Sequence, residues 1–537
     1  MIPRLAGIAL ILMVLLPHNQ ARADCITDPT YSCLLESSLK LAHEARRAVA
    51  NKYSNDIERS VASDNIEIVI RQIASVYAMA GDLNTAAETA AELGAAQLSY
   101  FVQDDLLKYP PGDADLSPIR NAADAILAST AELESTSKTL ETEAAAIIVL
   151  AKVGAAVKAQ SALNDAVRRF GEAVSAGNTE ILGASYQLMV AAVAFKDLAS
   201  AREIVRIISK EGMDKRGISK EWPGWTNEVA RGDLGRALAE TGDIAGAEKI
   251  AQSLDEGIRS TILGEIEKFH SKSDNPKSDS IAETIERIRG LPNGDSAVSH
   301  DPTIWLLTGQ LIERKQLTEA AALADEMLDT GWGDNIRIGI ALAYISNGDM
   351  TSAEALMEKI TDTGRAVVLI RHAQMRARRG EAEKARKLLD DAYTVLAVEK
   401  NPARLVDWHV IIALTLIELR DSDGAVTAID VALQNLEGIG DPMQQAEYAS
   451  RLAAVQLKLG RPEDAVATLD RSGMGALDGL LMSAGFLATE GFSGDAIASV
   501  ALALKKLPPR ESIDGLDDLA AFYAEAARVL VPASHGN

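Results

Sequence analysis

The residues of this chain that could do chemistry are few, and their spacing fits no common active site. Cys25 and Cys33 lie eight positions apart, which is too far for a Cys-x-x-Cys redox pair. None of the seven histidines belongs to a His-Glu-x-x-His motif, and the chain has neither a Gly-x-Ser-x-Gly nucleophile motif nor a Gly-x-x-x-x-Gly-Lys phosphate loop. The sequence therefore predicts no catalytic residue, no metal site and no cofactor.

Acidic residues provide the remaining candidates for chemistry. Asp421-Ser422-Asp423-Gly424 is similar to the start of a calcium loop, but the later ligand spacing and the closing Glu are missing. Pairs such as Asp104-Asp105 could cleave a glycoside only if they faced each other across a pocket. We interpret the Asp421 segment as a turn between helices and the acidic pairs as solvated surface.

The first 23 residues have the three parts of an export signal. Arg4 provides the positive start, residues 8–16 form an apolar stretch, and Ala21-Arg22-Ala23 is a small-x-small cleavage site. The apolar stretch is shorter than the ~20 residues that span a bilayer, although an uncleaved anchor remains the alternative. We expect a bacterial protein, periplasmic or secreted, whose mature chain starts at Asp24.

Export also bears on the two cysteines. Bacterial lipoproteins have a small residue directly before the lipidated cysteine, whereas Asp24 precedes Cys25 here, which argues against a lipid anchor. In an oxidising compartment, Cys25 and Cys33 predict a disulfide. Because its loop is small, we expect it to contribute about 2–3 kcal/mol to stability.

Composition favours close-packed helices, and charge disfavours several classes of partner. Hydrophobic residues make up 47% of the chain but aromatic residues only 4%. This composition favours helices that pack closely over the thicker cores of β-sheets. The formal net charge is −23, and it becomes −25 once the two arginines of the signal are removed. Such a charge repels nucleic acid and anionic lipid, so we expect a protein or peptide partner. No second long apolar run follows the first, so we also expect no membrane span.

A spaced pattern of small residues recurs along the chain: a small residue, a Gly seven positions later and an Ala five positions after that. The cleanest copies are Ala74…Gly81…Ala86, Gly235…Gly242…Ala247, Ala341…Gly348…Ala353, Ala373…Gly380…Ala385, Ala453…Gly460…Ala465 and Ala484…Gly491…Ala496. Looser copies place Lys196, Lys315 and Arg420 at the Gly position. From 315 to 491 these positions are 31 to 40 residues apart, which is typical of helix pairs that stack to share a core.

The repeats and the breaks between them predict the domain organisation. We expect a signal peptide (1–23), an N-terminal helical region with the disulfide and one repeat (24–103), an Ala-rich helical segment (104–177), repeats (178–269), a linker (270–301), the main repeat array (302–508) and a C-terminal helix with its tail (509–537). The predicted fold class is all-α, a helical-hairpin repeat solenoid with an Ala-rich helical segment in its N-terminal half.

The pattern resembles the tetratricopeptide repeat (TPR). The shared features are the small residue at the eighth position, Tyr77 and Tyr344 at the eleventh, the Ala at the twentieth, and Pro508 where that family closes a repeat. The resemblance implies that the first helix of each pair lines a groove for a partner. Its groove positions are largely apolar here, namely Trp305, Ile338, Leu342, Ile345, Ile370, Val410, Leu414 and Ile417, and only Arg378 and Lys458 are basic. The alternative is that these apolar residues form a packed core.

Two further tryptophans are candidates for partner contact. Trp222 and Trp225 flank Pro223-Gly224 in a predicted loop, where an exposed aromatic pair would favour binding. The alternative is that they fold back and cover the end of a repeat.

The features above favour a periplasmic, TPR-like, non-catalytic scaffold for protein–protein interaction in the cell envelope. One alternative is the helical-repeat portion of a peptidoglycan-acting enzyme system. Another is a chaperone or assembly factor for envelope or secretion machinery.

Overall fold

The predicted all-α fold class is confirmed by a computed structural model of the chain. It describes residues 29–52, 56–109, 114–210 apart from 132 and 179, 227–266 apart from 256, 257 and 260, then 305, 308–309, 311–312, 314–325, 330–507 apart from 474, and 516–535. These residues form helices and turns, and no β-strand occurs among them.

The described helices follow one another in antiparallel pairs over much of the chain. In chain order they are α1 (Tyr31–Lys52), α2 (Asp56–Met79), α3 (Leu83–Ala90), α4 (Ala95–Tyr100), α5 (Ser117–Thr130), α6 (Ser137–Lys152), α7 (Ala156–Ser175), α8 (Ser185–Phe195), α9 (Leu198–Lys210), α10 (Asn227–Thr241), α11 (Ile244–Ala251), α12 (Leu317–Ala324), α13 (Thr330–Asn347), α14 (Met350–Met357), α15 (Asp362–Arg378), α16 (Ala382–Leu396), α17 (Pro402–Glu418), α18 (Ser422–Leu436), α19 (Pro442–Lys458), α20 (Pro462–Arg471), α21 (Ala476–Thr489), α22 (Ser493–Lys506) and α23 (Leu516–His535).

The turns within the pairs lie where the small-residue pattern predicts them. The glycines at 81, 242, 348, 380, 460 and 491 all have positive φ angles, between 74° and 87°. Three other turn residues, Lys196, Lys315 and Arg420, have φ angles of 57°, 60° and 58°. Among the described residues they are the residues other than glycine with a positive φ angle. The left-handed conformation ends the first helix, and glycine adopts it without the steric cost that a Cβ brings.

An aspartate after the turn caps the second helix of several pairs. Asp82 accepts a hydrogen bond from the backbone N–H of Thr85, and Asp349 accepts one from Ser352, at 3.2 and 3.1 Å. Asp421 accepts one from the Gly424 N–H at 2.9 Å. The segment that is similar to a calcium loop is therefore the N-cap of α18.

By their internal contacts, the described residues belong to two compact units. Unit 1 takes in Met1–Leu93, Lys108–Ala114 and Arg365–Asn537, and unit 2 takes in Gly94–Leu107 and Asp115–Gly364. Both units are therefore built from segments that are not contiguous in the chain. The boundaries inferred from sequence follow breaks in the pattern, and they stay predictions.

In unit 2 the Ala-rich segment forms α5, α6 and α7. Residues 144–150 of α6 are all buried, and α6 packs against α5, α7 and α8. Its buried Glu143 pairs with Arg169 of α7, whose Nη1 also donates to Ser135 Oγ at 3.1 Å. Small side chains let these helices approach closely, so α6 is enclosed by its neighbours.

Unit 1 contains four successive helix pairs, α15/α16, α17/α18, α19/α20 and α21/α22. Helices α15 to α19 share one apolar core, and α21 packs on α19. Val406, Ile412 and Leu416 of α17 lie in it, together with Ile429 of α18 and Leu452 of α19. Each pair therefore buries its apolar surface against the next, as stacked helix pairs must.

The two ends of the described chain also pack against each other within unit 1. α23, the last helix, lies along α1, the first, and it also contacts α2 and α21. Leu34 and Leu35 of α1 and Ala520 of α23 are fully buried. Ser38 Oγ donates a buried hydrogen bond to the Ala520 carbonyl at 2.7 Å. α1 and α23 thus form one further helix pair.

Candidate partner-binding face

Four of the apolar positions predicted for partner binding are core residues. Val410 and Leu414 are 0% exposed, and Ile345 and Ile370 are equally inaccessible at 2% and 1%. In α17 every residue from Trp408 to Leu416 is buried, so helices surround it on all sides. A partner cannot reach these four side chains in the folded chain, and at these positions the packed-core alternative replaces the groove.

The other predicted positions differ in their access to solvent. Trp305 is 45% exposed, whereas Ile338, Leu342 and Ile417 are half-buried. Trp222, Trp225 and Cys25 lie outside the described residues, and Cys33 lies in the first turn of α1. Partner contact at the two tryptophans and the Cys25–Cys33 disulfide therefore stay predictions.

Charged side chains recur at matching positions of the first helices in unit 1. Arg378, Glu418 and Lys458 each lie two residues before a turn, and Arg371 and Arg451 each lie nine residues before one. Residues seven apart share one face of a helix. We call this set, with Glu490 at the end of α21, the charged face.

Ion pairs connect the helices of the charged face. Arg378 Nε donates to Glu418 Oε1 at 3.1 Å, and its Nη2 donates to Glu490 Oε2 at 3.2 Å. Arg371 Nη1 also reaches Glu490, at 3.2 Å. Lys458 pairs with Asp495 of α22 at 2.8 Å. Each cation thus joins its own helix to a helix of another pair.

Aromatic rings lie beneath two of these cations. Lys458 Nζ is 3.7 Å from the centre of the Phe492 ring. The Arg451 guanidinium is 5.3 Å from the ring of Tyr448 and 5.8 Å from that of Phe486, and it pairs with Asp407 at 2.5 Å. These cation–π contacts hold the long side chains against apolar surface while leaving part of each cation accessible.

Burial and neighbouring charges set the protonation of this face. Burial raises the pKa of Glu418, and the favourable effect of Arg378 only partly offsets it. Burial lowers the pKa of Arg451, but Asp407 and Glu447 outweigh that effect, so its pKa is raised overall. The Arg451 guanidinium is therefore held in its charged form, whereas burial disfavours the charged form of Glu418.

Sequence reasoning named Arg378 and Lys458 but missed the rest of the charged face. The available signal was the recurrence of charge nine and two residues before successive turns, at Arg371 and Arg378 and again at Arg451 and Lys458. Glu490 carried no comparable signal, because its partners lie more than 110 positions away in the chain.

Two kinds of feature are absent from the described residues. No three His, Cys, Asp or Glu side chains converge there as metal ligands. None of the described helices is long and apolar enough to cross a membrane.

Comparisons with known proteins assign this chain to no family. No protein-family model and no curated protein matches it. Similar solved structures include the APC/C hetero-tetramer Cut9–Hcn1 (TM-score 0.23, 13% identity, 93% of this chain and 94% of that chain covered) and Naa15/Naa10 bound to HypK-THB (0.22, 12%, 81% and 78%). A circular tandem repeat protein also matches (0.11, 13%, 94% and 98%). Scores this low carry no argument, so the helical-repeat assignment rests on the helix pairs and turns themselves.

Proposed function

We propose that this chain is a non-catalytic scaffold that binds another protein in the bacterial cell envelope, and that the charged face of unit 1 contacts the partner. The observation that carries the proposal is the recurrence of charged side chains two and nine residues before the turns of successive helix pairs. Among them Arg371, Arg378 and Arg451 are 40%, 45% and 29% exposed. Stacked helix pairs present such residues along one continuous surface.

The chemistry of the face indicates the kind of partner. Arg371, Arg378, Arg451 and Lys458 alternate with carboxylates, and rings lie beneath two of the cations. A segment with both charges and a few large apolar side chains would match this mixture. The chain's net charge of −23 favours a partner that is neutral or basic overall.

Photo-crosslinking in cells tests the proposal at a defined position. Met482 lies nine residues before the turn at Gly491, the register of Arg371 and Arg451, and is 42% exposed. Val157 of unit 2 is 88% exposed and provides the control. A photoreactive amino acid at 482 should capture a discrete protein that one at 157 does not, as read by mass spectrometry. Identical captures from both positions would contradict the proposal.

The proposed location rests on residues 1–23 and has its own test. We expect the protein in the periplasmic fraction, with a mature chain that starts at Asp24, a Cys25–Cys33 disulfide and no lipid. Intact-mass measurement of the purified protein, with and without reduction and alkylation, reads the first residue, the disulfide and the absence of lipid. A retained signal, a diacylglycerol mass or two free thiols would each contradict the corresponding part.

A further inference from the structure

One contact on the charged face skips two helix pairs. Glu490, at the end of α21, contacts residues of α15 that precede it by 112 to 119 positions. The pairs α17/α18 and α19/α20 lie between them in the chain. In helical-repeat proteins each repeat ordinarily contacts only its neighbours. This contact therefore adds a constraint that stacking alone does not provide.

The Glu490 carboxylate is held by three donors from one face of α15. Arg371 Nη1 donates to Oε1 at 3.2 Å, Gln374 Nε2 donates to Oε2 at 3.0 Å, and Arg378 Nη2 donates to Oε2 at 3.2 Å. Arg378 Nη2 also donates to the backbone carbonyl of Glu490 at 3.0 Å. Spacings of three and four residues align the donors, and the Glu490 side chain is only 12% exposed.

Arg378 extends the same contact to the second helix pair. Its Nε donates to Glu418 Oε1 at the end of α17, while its Nη2 holds Glu490. Through one guanidinium, the first, second and fourth pairs are joined at the ends of their first helices. Glu490 is the member of this set that provides the link across two pairs.

The packing of the helix pairs and the Glu490 contact rest on different interactions. The first three pairs meet in the apolar core, which includes Ile370, Val410 and Leu452. The fourth pair packs on α19, where Ser483 Oγ donates a buried hydrogen bond to the Ser450 carbonyl at 2.7 Å. Glu490 takes no part in that hydrogen bond. Arg371 and Arg378 are 40% and 45% exposed, so water can solvate both guanidinium groups when the carboxylate leaves. Loss of the contact therefore leaves each helix pair packed and removes only the added constraint.

We propose that Glu490 is an intramolecular latch, which ties the fourth helix pair of unit 1 to the first. Loss of its negative charge lets these two pairs move apart without unfolding either of them. The proposal concerns the free chain and does not depend on the identity of any partner.

A distance measurement across the latch tests it. Arg379 and Thr489 are exposed and lie beside the two sides of the contact. Spin labels attached through a ketone-bearing amino acid at 379 and 489 avoid the cysteines, and pulsed electron resonance then reads the distance distribution. We expect one narrow, short population in the otherwise unchanged chain and loss of that population in Glu490→Gln.

Two further variants separate the latch from general effects. Glu525→Gln removes a carboxylate that pairs with Arg528 within α23, and it should leave the distribution unchanged. Glu490→Asp keeps the charge and should retain the short population at least in part. Circular dichroism of each variant reads the helix content.

The outcomes decide the proposal in either direction. Loss of the short population in Glu490→Gln, with unchanged helix content and an unchanged Glu525→Gln control, supports the latch. A Glu490→Gln distribution that superimposes on the original overturns it. Loss of helix content in Glu490→Gln overturns it as well, because Glu490 would then maintain the fold itself.

Discussion

At the scale of single residues, burial separates positions that carry the same side chain. Val410, in the middle of α17, is 0% exposed, whereas Val398, between α16 and α17, is 69% exposed. A carboxylate is costly only where water and partners are absent. The same substitution at these two positions therefore distinguishes core from surface.

Val410→Glu should lower the free energy of unfolding by roughly 3 kcal/mol or more, since it leaves an unpaired charge in the unit 1 core. Val398→Glu should change it by less than about 0.5 kcal/mol. Urea unfolding followed by circular dichroism reads both. If Val410→Glu unfolded at the same urea concentration as the original chain, Val410 would be a groove residue and not a core residue.

The buried histidines couple the stability of unit 1 to pH. Burial lowers the pKa of His409 below its ordinary value of 6.5, although the hydrogen bond from Nδ1 to the Leu405 carbonyl acts in the opposite direction. The Tyr393 ring of α16 also faces the imidazole. Burial lowers the pKa of His372 too, and Arg376 and Arg379 add to the effect.

Stability should therefore fall as pH falls below about 6.5. A depressed folded-state pKa stabilises the protein above the unfolded-state value, and that stabilisation is lost as pH drops through the folded-state value. One proton contributes at most about 1.4 kcal/mol per pH unit. We expect a flatter dependence in His409→Gln, measured by urea unfolding between pH 5 and pH 7.5. An unchanged slope would mean that other groups dominate.

At the scale of helices and turns, a glycine can be required for its backbone conformation or for the space that a Cβ would fill. A Cβ at Gly460 would meet no atom within 4 Å, but its φ angle of 74° is one that side chains rarely adopt. Gly440, before α19, also has open space around it and no such φ angle. The two glycines form a matched pair in which only the conformation differs.

Gly460→Ala should lower the free energy of unfolding by about 1–2 kcal/mol, which is the cost of a left-handed conformation for an L-residue. Gly440→Ala should leave it unchanged or raise it slightly, since alanine restricts the unfolded chain. Thermal melts of the two variants read the difference. Equal effects would show that the turn at 460 does not require its conformation.

Arg420 offers the reverse experiment, because it has a φ angle of 58° at a position where six other pairs have glycine. Arg420→Gly removes the steric cost, while the added freedom of the unfolded chain offsets part of the gain. We expect a net rise of roughly 0.5 kcal/mol in the free energy of unfolding, read by the same melts. A fall would indicate that the Arg420 side chain makes contacts worth more than the strain.

At the scale of the whole molecule, the pairing of the chain ends determines what unit 1 needs in order to fold. α1 packs along α23, and Ser38 Oγ of α1 donates a buried hydrogen bond to the Ala520 carbonyl of α23. Burial of one large apolar side chain contributes about 1.5–3 kcal/mol, so we expect α1 to depend on α23.

Removal of residues 516–537 should therefore abolish protection of α1 and α2 against amide hydrogen exchange, while α17 and α18 keep theirs. Removal of residues 536 and 537 alone leaves α23 in place and serves as the control. Exchange measured by mass spectrometry at peptide resolution reads both truncations. Retained protection of α1 in the longer truncation would show that α23 is dispensable for unit 1.

The sequence by itself determined the local features of this protein. Glycine at a left-handed turn and aspartate after it act through their own backbone and the next few residues, so the turns at 81, 242, 348, 380, 460 and 491 could be predicted. The same spacing identified Lys196, Lys315 and Arg420 as turn residues. The all-α fold class follows, because helix pairs linked by such turns must stack to bury their apolar faces.

Only the tertiary structure decided which side chains face solvent and which distant segments meet. α17 is apolar around its circumference, so its periodicity could not separate core positions such as Val410 from surface positions. The pairing of Ser38 with Ala520, 482 positions apart, and the hold of α15 on Glu490 leave no mark in local spacing. Such contacts depend on the number of helix pairs between two segments and on how each pair packs against the next. The relative positions of distant segments are therefore set by packing across the whole unit.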